Sequence, residues 1–152
     1  MALSMHVRIF QDLDRVPAWV LHTLRRSITH NHCLLPMERV RDDDDRRRRM
    51  LVVVQDDSDA TTVLTIVFPM TTAARDRAWV IEHLCSTSPT HAAAAVCCAL
   101  LPLARRAGVL LWVDAYHDDA VDVDLWQRLG FRGVSFHRRP TGDRLRMEWR
   151  AM

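Results

Sequence analysis

The stretch SPTHAAAAVCC, Ser88–Cys98, joins a predicted strand to an alanine-rich predicted helix. A helix start offers unpaired backbone N–H groups and the positive end of a dipole, so such a turn can hold a phosphorylated cofactor. Turns that bind phosphate usually carry glycine, because side chains keep the phosphate away from the amides. This turn has no glycine, and Pro89 has no N–H. The stretch is therefore either a cofactor site that lacks its glycines or an ordinary helix start.

Titratable side chains lie in two of the predicted strands. Glu82 and His83 are neighbours in the first, so alternation along a strand places them on opposite faces of the sheet. Asp114 and Tyr116 end the second strand and share one face, and His117 follows them. These side chains can exchange protons, so both groups are candidates for acid–base chemistry, although strand ends collect polar residues in any case.

The segment HNHC contains His30 and His32, residue types that bind zinc. A zinc site needs further ligands at fixed geometry, and the four cysteines, at positions 33, 85, 97 and 98, form no C-x-x-C pair. Two of these cysteines are adjacent in a hydrophobic helix, where a disulfide framework is implausible. We expect buried free thiols, no disulfide and no bound metal.

The composition is that of an ordinary globular protein: of 152 residues, 49% are hydrophobic and 26% are charged. All 21 basic residues are arginine, a bias that we attribute to GC-rich coding, so the net charge of +2 is poor support for nucleic-acid binding. The start of the chain has no signal-peptide pattern, and the longest uncharged apolar stretch, Ala92 to Ala104, is too short to cross a membrane. We expect one domain, residues 1–152, in the cytoplasm, with no nucleic-acid or membrane partner.

Hydrophobic patterning predicts the order β, α, three strands, α, β, α, β, β. The predicted strands read MHVRIF, MLVVVQDD, TTVLTIVFPM, RAWVIEHLCS, VLLWVDAY, FRGVSFHRR and RLRMEWRAM. The predicted helices are RVPAWVLHTLRRSI, a helix that begins at Ser88 and runs towards Gly108 with a kink at Pro102, and DDAVDVDLWQRLG. The stretch RVRDDDDRRRR is predicted as a solvated loop or frayed helix end, with a partner-binding tag as the alternative. The order predicts a single α/β domain with a mixed sheet.

In this order of elements the chain resembles the GNAT superfamily of acyl-CoA-dependent N-acyltransferases over nearly all of its length. DLWQRLGF, Asp124–Phe131, is similar to the leucine–tyrosine–x–x–leucine–glycine–phenylalanine signature that follows the fifth strand. LARRAGVLLWV is similar to the end of the family's central helix, and VRIFQDLDRV to its opening strand. The resemblance implies a GNAT-like mixed twisted sheet with a V-shaped splay between strands 4 and 5, flanked by helices.

The resemblance also implies a site for acetyl-CoA in that V. Strand four would pair its backbone with the pantetheine, and the SPTHAAAA turn would hold the pyrophosphate. The family's pyrophosphate pattern falls on Ser88, His91 and Ala93 when counted back from the helix end, or on His91, Ala94 and Val96 when counted forward from strand four. A protonated His91 would add positive charge, and the alanines after it still have amides. The implied acetyl-CoA residues are Leu84, Cys85, Ser86, Ser88, His91, Ala92, Ala93, Ala94 and Trp126.

The resemblance further implies three candidate catalytic residues. Glu82 lies where family members often place a carboxylate that deprotonates the amine through water, and His83 is the alternative base. Many members use a tyrosine as the acid that protonates the departing thiolate, but this chain has Trp126 there, whose indole N–H is too weak an acid. Tyr116, the lone tyrosine, ends strand five and is the remaining candidate.

Two functions follow from these residues. The first is a divergent GNAT-type N-acetyltransferase that transfers an acetyl group from acetyl-CoA to a small-molecule or protein amine. The second is a catalytically inactive binding protein on the same fold, such as a pseudo-enzyme or an antizyme-like regulator. The likeness to ornithine decarboxylase antizyme is limited to the C-terminal half, and LPLARRAG is basic where the partner-binding helix of antizyme is acidic. A protein partner or a homodimer stays open.

Overall fold

The computed structural model describes residues 4–11, 17–20, 22, 48–71, 76–116, 120–138, 140 and 142–151. Within these residues the strands are β1 (Met5–Phe10), β2 (Arg48–Asp56), β3 (Thr61–Thr71), β4 (Arg77–Ser86), β5 (Leu110–Tyr116), β6 (Arg132–His137) and β7 (Arg144–Trp149). The helices are α1 (Pro89–Ala95), α2 (Leu101–Ala107) and α3 (Ala120–Arg128), with a π-helical turn (Val96–Leu100) between α1 and α2. Residues 18–20 and 22 are also helical.

All seven of these strands form one sheet in the order β1-β2-β3-β4-β5-β7-β6. β4 and β5 run parallel, and every other neighbouring pair is antiparallel. The mixed sheet and the predicted order of the strands and of the helices after β4 are therefore confirmed. Most of the first predicted helix, RVPAWVLHTLRRSI, lies outside the described residues. β2 and β3 are joined directly by a turn, as DDSDA predicts, and β6 and β7 pair antiparallel as the predicted closing hairpin.

Alternation along the strands gives the sheet two distinct faces. On one, which we call the α1 face, strand residues such as Val52, Leu64 and Leu111 are fully buried in a cluster with Ala95 and Leu100. On the other, the Val20 face, a smaller cluster joins Leu51, Val53, Val63 and Cys85 to Val20. Both faces of the central strands are therefore covered by other parts of the chain.

The helical segment after β4 begins and ends as the sequence predicts. Ser88 is the N-cap with Pro89 at the first helical position, and the segment ends at Gly108, whose φ of 68° is left-handed. The predicted kink at Pro102 takes the form of the π-helical turn just before it, where the N–H of Leu101 bonds to the carbonyl of Val96. A π-helical turn is a common way to absorb a disturbed bond ladder inside a helix.

The π-helical turn also decides the exposure of two cysteines. It buries Val96, Ala99 and Leu100 and leaves Cys97 and Cys98 exposed, so the expectation that these thiols are buried is wrong. An extra residue in a helical turn rotates the following side chains by about 100°, which hydrophobicity alone does not reveal.

Several predictions fall on residues outside the described part of the chain. These are HNHC with Cys33, His117, and most of the stretch RVRDDDDRRRR. The end of that stretch was predicted as loop but lies in β2, which starts at Arg48. Among the described helices, none is long and apolar enough to span a membrane.

Candidate active site at the split between two strands

The two parallel strands of the sheet separate partway along their length. β4 and β5 are paired from Ala78 with Leu110 to Ile81 with Val113. Beyond these residues β4 continues to Ser86 and β5 to Tyr116 without pairing to each other. β4 stays paired with β3 on its other side as far as Ser86. The predicted V-shaped splay is confirmed, and its β4 arm exposes the backbone edge of residues 82–86, about 16 Å of strand.

A bulge in β4 lies at the point where the strands part. Ile66 of β3 pairs with Ile81, and the preceding Thr65 pairs with His83, so Glu82 is an extra residue in β4. A bulge bends its strand and increases the local twist, which turns the end of β4 away from β5. It also interrupts the strict alternation from which opposite faces were predicted for Glu82 and His83.

Glu82 is held by a side chain from the sheet interior. Arg49 of β2 donates from Nε to Oε2 at 3.0 Å and from Nη2 to Oε1 at 3.3 Å. Arg49 lies two residues before Leu51 and four before Val53, so the three side chains share one face of the sheet. The Arg49–Glu82 pair therefore lies on the Val20 face. The Glu82 side chain is 30% exposed. Because a carboxylate has about four acceptor sites, this two-bond pair still leaves sites for a water molecule.

A second polar group lies across the split, on β5 and β7. Arg146 donates to both carboxylate oxygens of Asp114, at 2.9 and 3.1 Å, and its guanidinium lies 4.6 Å from the ring centroid of Trp112. The indole N–H of Trp112 donates to Glu148 at 2.9 Å. Asp114 is therefore an ion-pair partner of Arg146, which favours a structural role for this carboxylate over acid–base chemistry. Tyr116 ends β5 two residues later, opposite Arg144 of β7.

Trp126 lies in the hydrophobic core. It is 3% exposed, and its ring packs edge-on against Phe131 with 5.1 Å between centroids and 66° between planes. It belongs to the same cluster as Leu111 and Met147 on the α1 face. The residue that replaces the family's tyrosine thus contributes to packing, and a contact with acetyl-CoA stays a prediction.

The backbone amides at the start of α1 are largely occupied. The N–H of Ser88 donates to Ser86 Oγ at 3.2 Å, and the N–H of His91 donates to Ser88 Oγ at 3.3 Å. The N–H of Ala92 bonds to the carbonyl of Ser88 at 3.0 Å. In this first turn, the N–H of Thr90 has no hydrogen-bond partner among the described residues. The amides of His91 and Ala92 are therefore not free to bind a phosphate, and the helix bonds engage those that follow.

The imidazole of His91 points into the protein. It is 5% exposed, and Nδ1 lies 2.7 Å from Thr62 Oγ1, which in turn lies 2.8 Å from Ser86 Oγ. Nε2 lies 3.7 Å from Asp56 Oδ2, and no hydrogen-bond partner for it occurs among the described residues. Burial lowers the pKa of His91, and the nearby Asp56 carboxylate only partly offsets this. The predicted positive charge at the helix start is therefore not supplied by this side chain at neutral pH.

The end of β2, where the turn to β3 begins, places the carboxylate of Asp56 beside His91 of α1. Asp56 Oδ1 accepts hydrogen bonds from the N–H and Oγ of Ser58, at 2.8 and 2.6 Å, and these bonds lower the pKa of Asp56. Asp57 and Asp59 lie in the same turn. The turn is tied to the end of β4, since the N–H of Thr61 donates to Thr87 Oγ1 and the N–H of Thr87 donates to the carbonyl of Thr61, both at 2.9 Å.

The sequence reasoning missed three residues that shape this site. Arg49 was placed in a loop, and neither Asp56 nor Thr62 was assigned a role. The spacing of two residues between Arg49, Leu51 and Val53 is the signal that could have placed Arg49 on the same sheet face as these apolar residues. No local pattern connects Asp56 or Thr62 with His91.

A cavity of about 290 Å³ lies elsewhere, at the paired end of β4 and β5. Its lining includes Arg77, Arg105 and Arg150, and none of the predicted site residues borders it. No group of three histidine, cysteine, aspartate or glutamate side chains suited to a metal ion occurs in the described segments.

Comparison with known proteins identifies the fold. No family model matches the chain, and no curated protein matches it in sequence. Among solved structures, a mutant of spermidine N-acetyltransferase SpeG from Vibrio cholerae is similar with a TM-score of 0.63 at 12% identity, over 95% of this chain and 92% of that one. The ribosomal-protein-S18-alanine N-acetyltransferase from Escherichia coli gives 0.62 at 13%, over 94% and 92%. A Bacillus subtilis acetyltransferase in complex with CoA gives 0.61 at 10%, over 98% and 100%. The chain has the GNAT fold.

Proposed function

We propose that the chain is a divergent GNAT-type N-acetyltransferase, which moves an acetyl group from a thioester donor to an amine. The observation that carries this proposal is the edge of β4 beyond Ile81, with which no described strand pairs although the sheet is otherwise continuous. Buried backbone groups need hydrogen-bond partners, and an extended ligand that carries amides can supply them as an added strand would. The pantetheine arm of acetyl-CoA is such a ligand.

Acetyl-CoA fits this site at one end and not at the other. The pantetheine arm matches the backbone edge of Leu84, Cys85 and Ser86, which β3 pairs on the far side only. The pyrophosphate would meet a helix start whose amides are mostly occupied and whose neighbouring group includes the Asp56 carboxylate. The chemistry that the donor brings is its activated carbonyl, and this chain must supply positioning and proton transfer.

Glu82 is the residue that we assign as the base. The acceptor amine must lose a proton to attack, and Glu82 lies at the apex of the split with acceptor sites left beyond its pair with Arg49. In the transfer, the nitrogen–carbon bond forms, the carbon–sulfur bond breaks and the thiolate takes up a proton. Tyr116, at the end of β5, is the candidate donor of that proton, with water as the alternative, and His83 is the alternative base.

The second candidate function is a non-catalytic binding protein. Two observations favour it: both oxygens of Glu82 already accept from Arg49, and Trp126 is buried in the core where the family has its acid. Two of the similar proteins are named as acetyltransferases of spermidine and of the alanine of ribosomal protein S18. At 12% and 13% identity, neither acceptor can be assigned to this chain.

Calorimetry and a transfer assay separate the two functions. Acetyl-CoA is titrated into the protein, and acetylation of a panel of polyamines and peptide N-termini is followed by mass spectrometry. The transferase predicts saturable heat and a pH-dependent product, with Glu82→Gln lowering kcat at least about a hundredfold. Asp124→Asn, an exposed carboxylate 54% accessible on α3, is the matched control and should retain activity. No heat at millimolar ligand and no product would support the binding protein.

A further inference from the structure

We infer that this site recognises its acyl donor by the pantetheine arm and not by the nucleotide, so that acyl-pantetheine thioesters serve as well as acetyl-CoA. The inference rests on the proposed function and names the class of donor. It comes from the contrast between the two ends of the split: the edge of β4 is open, whereas the start of α1 is closed by its own side chains.

The closure of α1 is made by three groups in sequence. Ser88 caps the helix by accepting the N–H of His91, and Ser86 Oγ accepts the N–H of Ser88. Ser86 Oγ also donates to the carbonyl of Ser88 at 2.7 Å, which fixes its position. Pro89 has no N–H to offer. A diphosphate that approaches this turn finds the N–H of Thr90, where an open helix start offers several amides.

The charges around this turn oppose a diphosphate as well. Asp56, Asp57 and Asp59 lie in the adjoining turn, which is bonded to Thr87 at the end of β4. His91, the titratable group that faces Asp56 from α1, is held in its neutral form by burial. His6 contacts Asp57 at 3.2 Å from an exposed position on β1, where solvent screens any charge that it carries. A carboxylate such as Asp56, whose Oδ2 lies 3.7 Å from His91 Nε2 on α1, lowers the affinity of a phosphate bound nearby.

The edge of β4 would bind a donor in the same way whether or not the donor carries a nucleotide. The pantetheine arm is uncharged, and its amide groups are the same in acetyl-CoA, in free acetyl-pantetheine and in an arm carried by another protein. Binding through backbone hydrogen bonds along residues 82–86 therefore depends on the arm alone. The shared ligand chemistry is an acyl-pantetheine thioester.

The test compares donors with one acceptor amine. We expect kcat/KM for acetyl-CoA and acetyl-pantetheine to agree within about threefold, since the nucleotide adds little binding energy. A preference for acetyl-CoA above about tenfold would overturn the inference. A third donor in the test, acetyl-phosphopantetheine attached to a carrier protein, distinguishes a carrier-borne donor from a free one. A kcat/KM above those of both small donors assigns the carrier protein as the source.

Two variants test the cause of the lost preference. Ser88→Gly keeps the helix start but releases the N–H of His91, and should shift the kcat/KM ratio towards acetyl-CoA by about fivefold, the effect of one hydrogen bond. Asp57→Asn removes one carboxylate from the turn and should shift the ratio in the same direction. Asp124→Asn, the same substitution at an exposed carboxylate on α3, should leave the ratio unchanged. An unchanged ratio in Ser88→Gly would contradict the role of the cap.

Failure of the proposed function can be told apart from failure of this inference. If no donor yields product, the transferase proposal fails, and calorimetry with pantetheine and CoA then decides the inference. Similar affinities for the two ligands support recognition by the arm. Binding of CoA more than about tenfold tighter than pantetheine, or no binding of pantetheine, overturns it.

Discussion

Acidification should destabilise the protein through one buried histidine. His91 is 5% exposed, its Nδ1 is bonded to Thr62, and burial lowers its pKa below the ordinary value of 6.5. The unfolded chain therefore takes up this proton first as the pH falls. The contribution of the neutral imidazole to the free energy of unfolding is complete above pH 6.5 and is lost as the pH falls below it, at most about 1.4 kcal/mol per pH unit for one proton.

The magnitude can be stated for a specific pH step. Between pH 7.5 and 5.5 the loss through His91 is at most about 1.4 kcal/mol, the limit for one proton over the pH unit below 6.5, which lowers Tm by at most about 5 °C in a chain of this size. Asp56 does not contribute in this window, because the hydrogen bonds of Ser58 lower its pKa below 3.8 and it stays ionised. The assay is urea unfolding at pH 7.5, 6.5 and 5.5, compared with His91→Gln, whose amide can still bond to Thr62.

The comparison between variants isolates His91 from the other histidines. His91→Gln should be less stable than the wild type at pH 7.5 but should lose less stability on acidification. His6→Gln, at a side chain 64% exposed, is the matched control and should follow the wild-type slope. The reasoning is refuted if His91→Gln and the wild type lose the same stability between pH 7.5 and 5.5, or if the wild type gains stability in acid.

Two further predictions concern Arg49 and the thiols. Arg49→Met should lower the free energy of unfolding by about 2 kcal/mol, because it leaves the half-buried Glu82 without its partner, and Arg49→Met with Glu82→Gln should recover part of that loss in urea unfolding; equal losses in the single and double variants would argue against a coupled pair. In native protein, Cys97 and Cys98 should be alkylated quickly and Cys85 slowly, as peptide mapping would show, because only the first two are exposed. We also expect free thiols with no disulfide and no bound metal, so reduction should leave the intact mass unchanged and elemental analysis should find no zinc. One stoichiometric zinc, or a mass difference on reduction, would overturn this expectation.

The strands and their order could be predicted because their signals are local. The continuous apolar runs of β2 and β3, the DDSDA turn between them, and the cap of Ser88 with Pro89 each depend on a few neighbouring residues. The position of the split came from the family resemblance, which depends on the order of elements. Agreement among these signals is what made the fold predictable from one sequence.

The details of the site could not be predicted because they are set by contacts between distant residues. The bulge at Glu82 exists only in the register between β3 and β4, and Arg49 reaches Glu82 across 33 positions. The direction of the His91 side chain depends on Thr62 and Asp56, which arrive from another strand and turn. The exposure of Cys97 follows from a π-helical turn that changes which side of the helix is buried.

The most direct test of the account is whether the edge of β4 binds the donor. Titration of ¹⁵N-labelled protein with acetyl-CoA, followed by two-dimensional NMR, reports each backbone amide separately. The account predicts saturable shifts for amides of residues 82–86, and little change for residues 78–81, which pair with β5. Absence of any shift at millimolar acetyl-CoA, or shifts confined to other parts of the chain, would contradict the assignment of the split as the donor site.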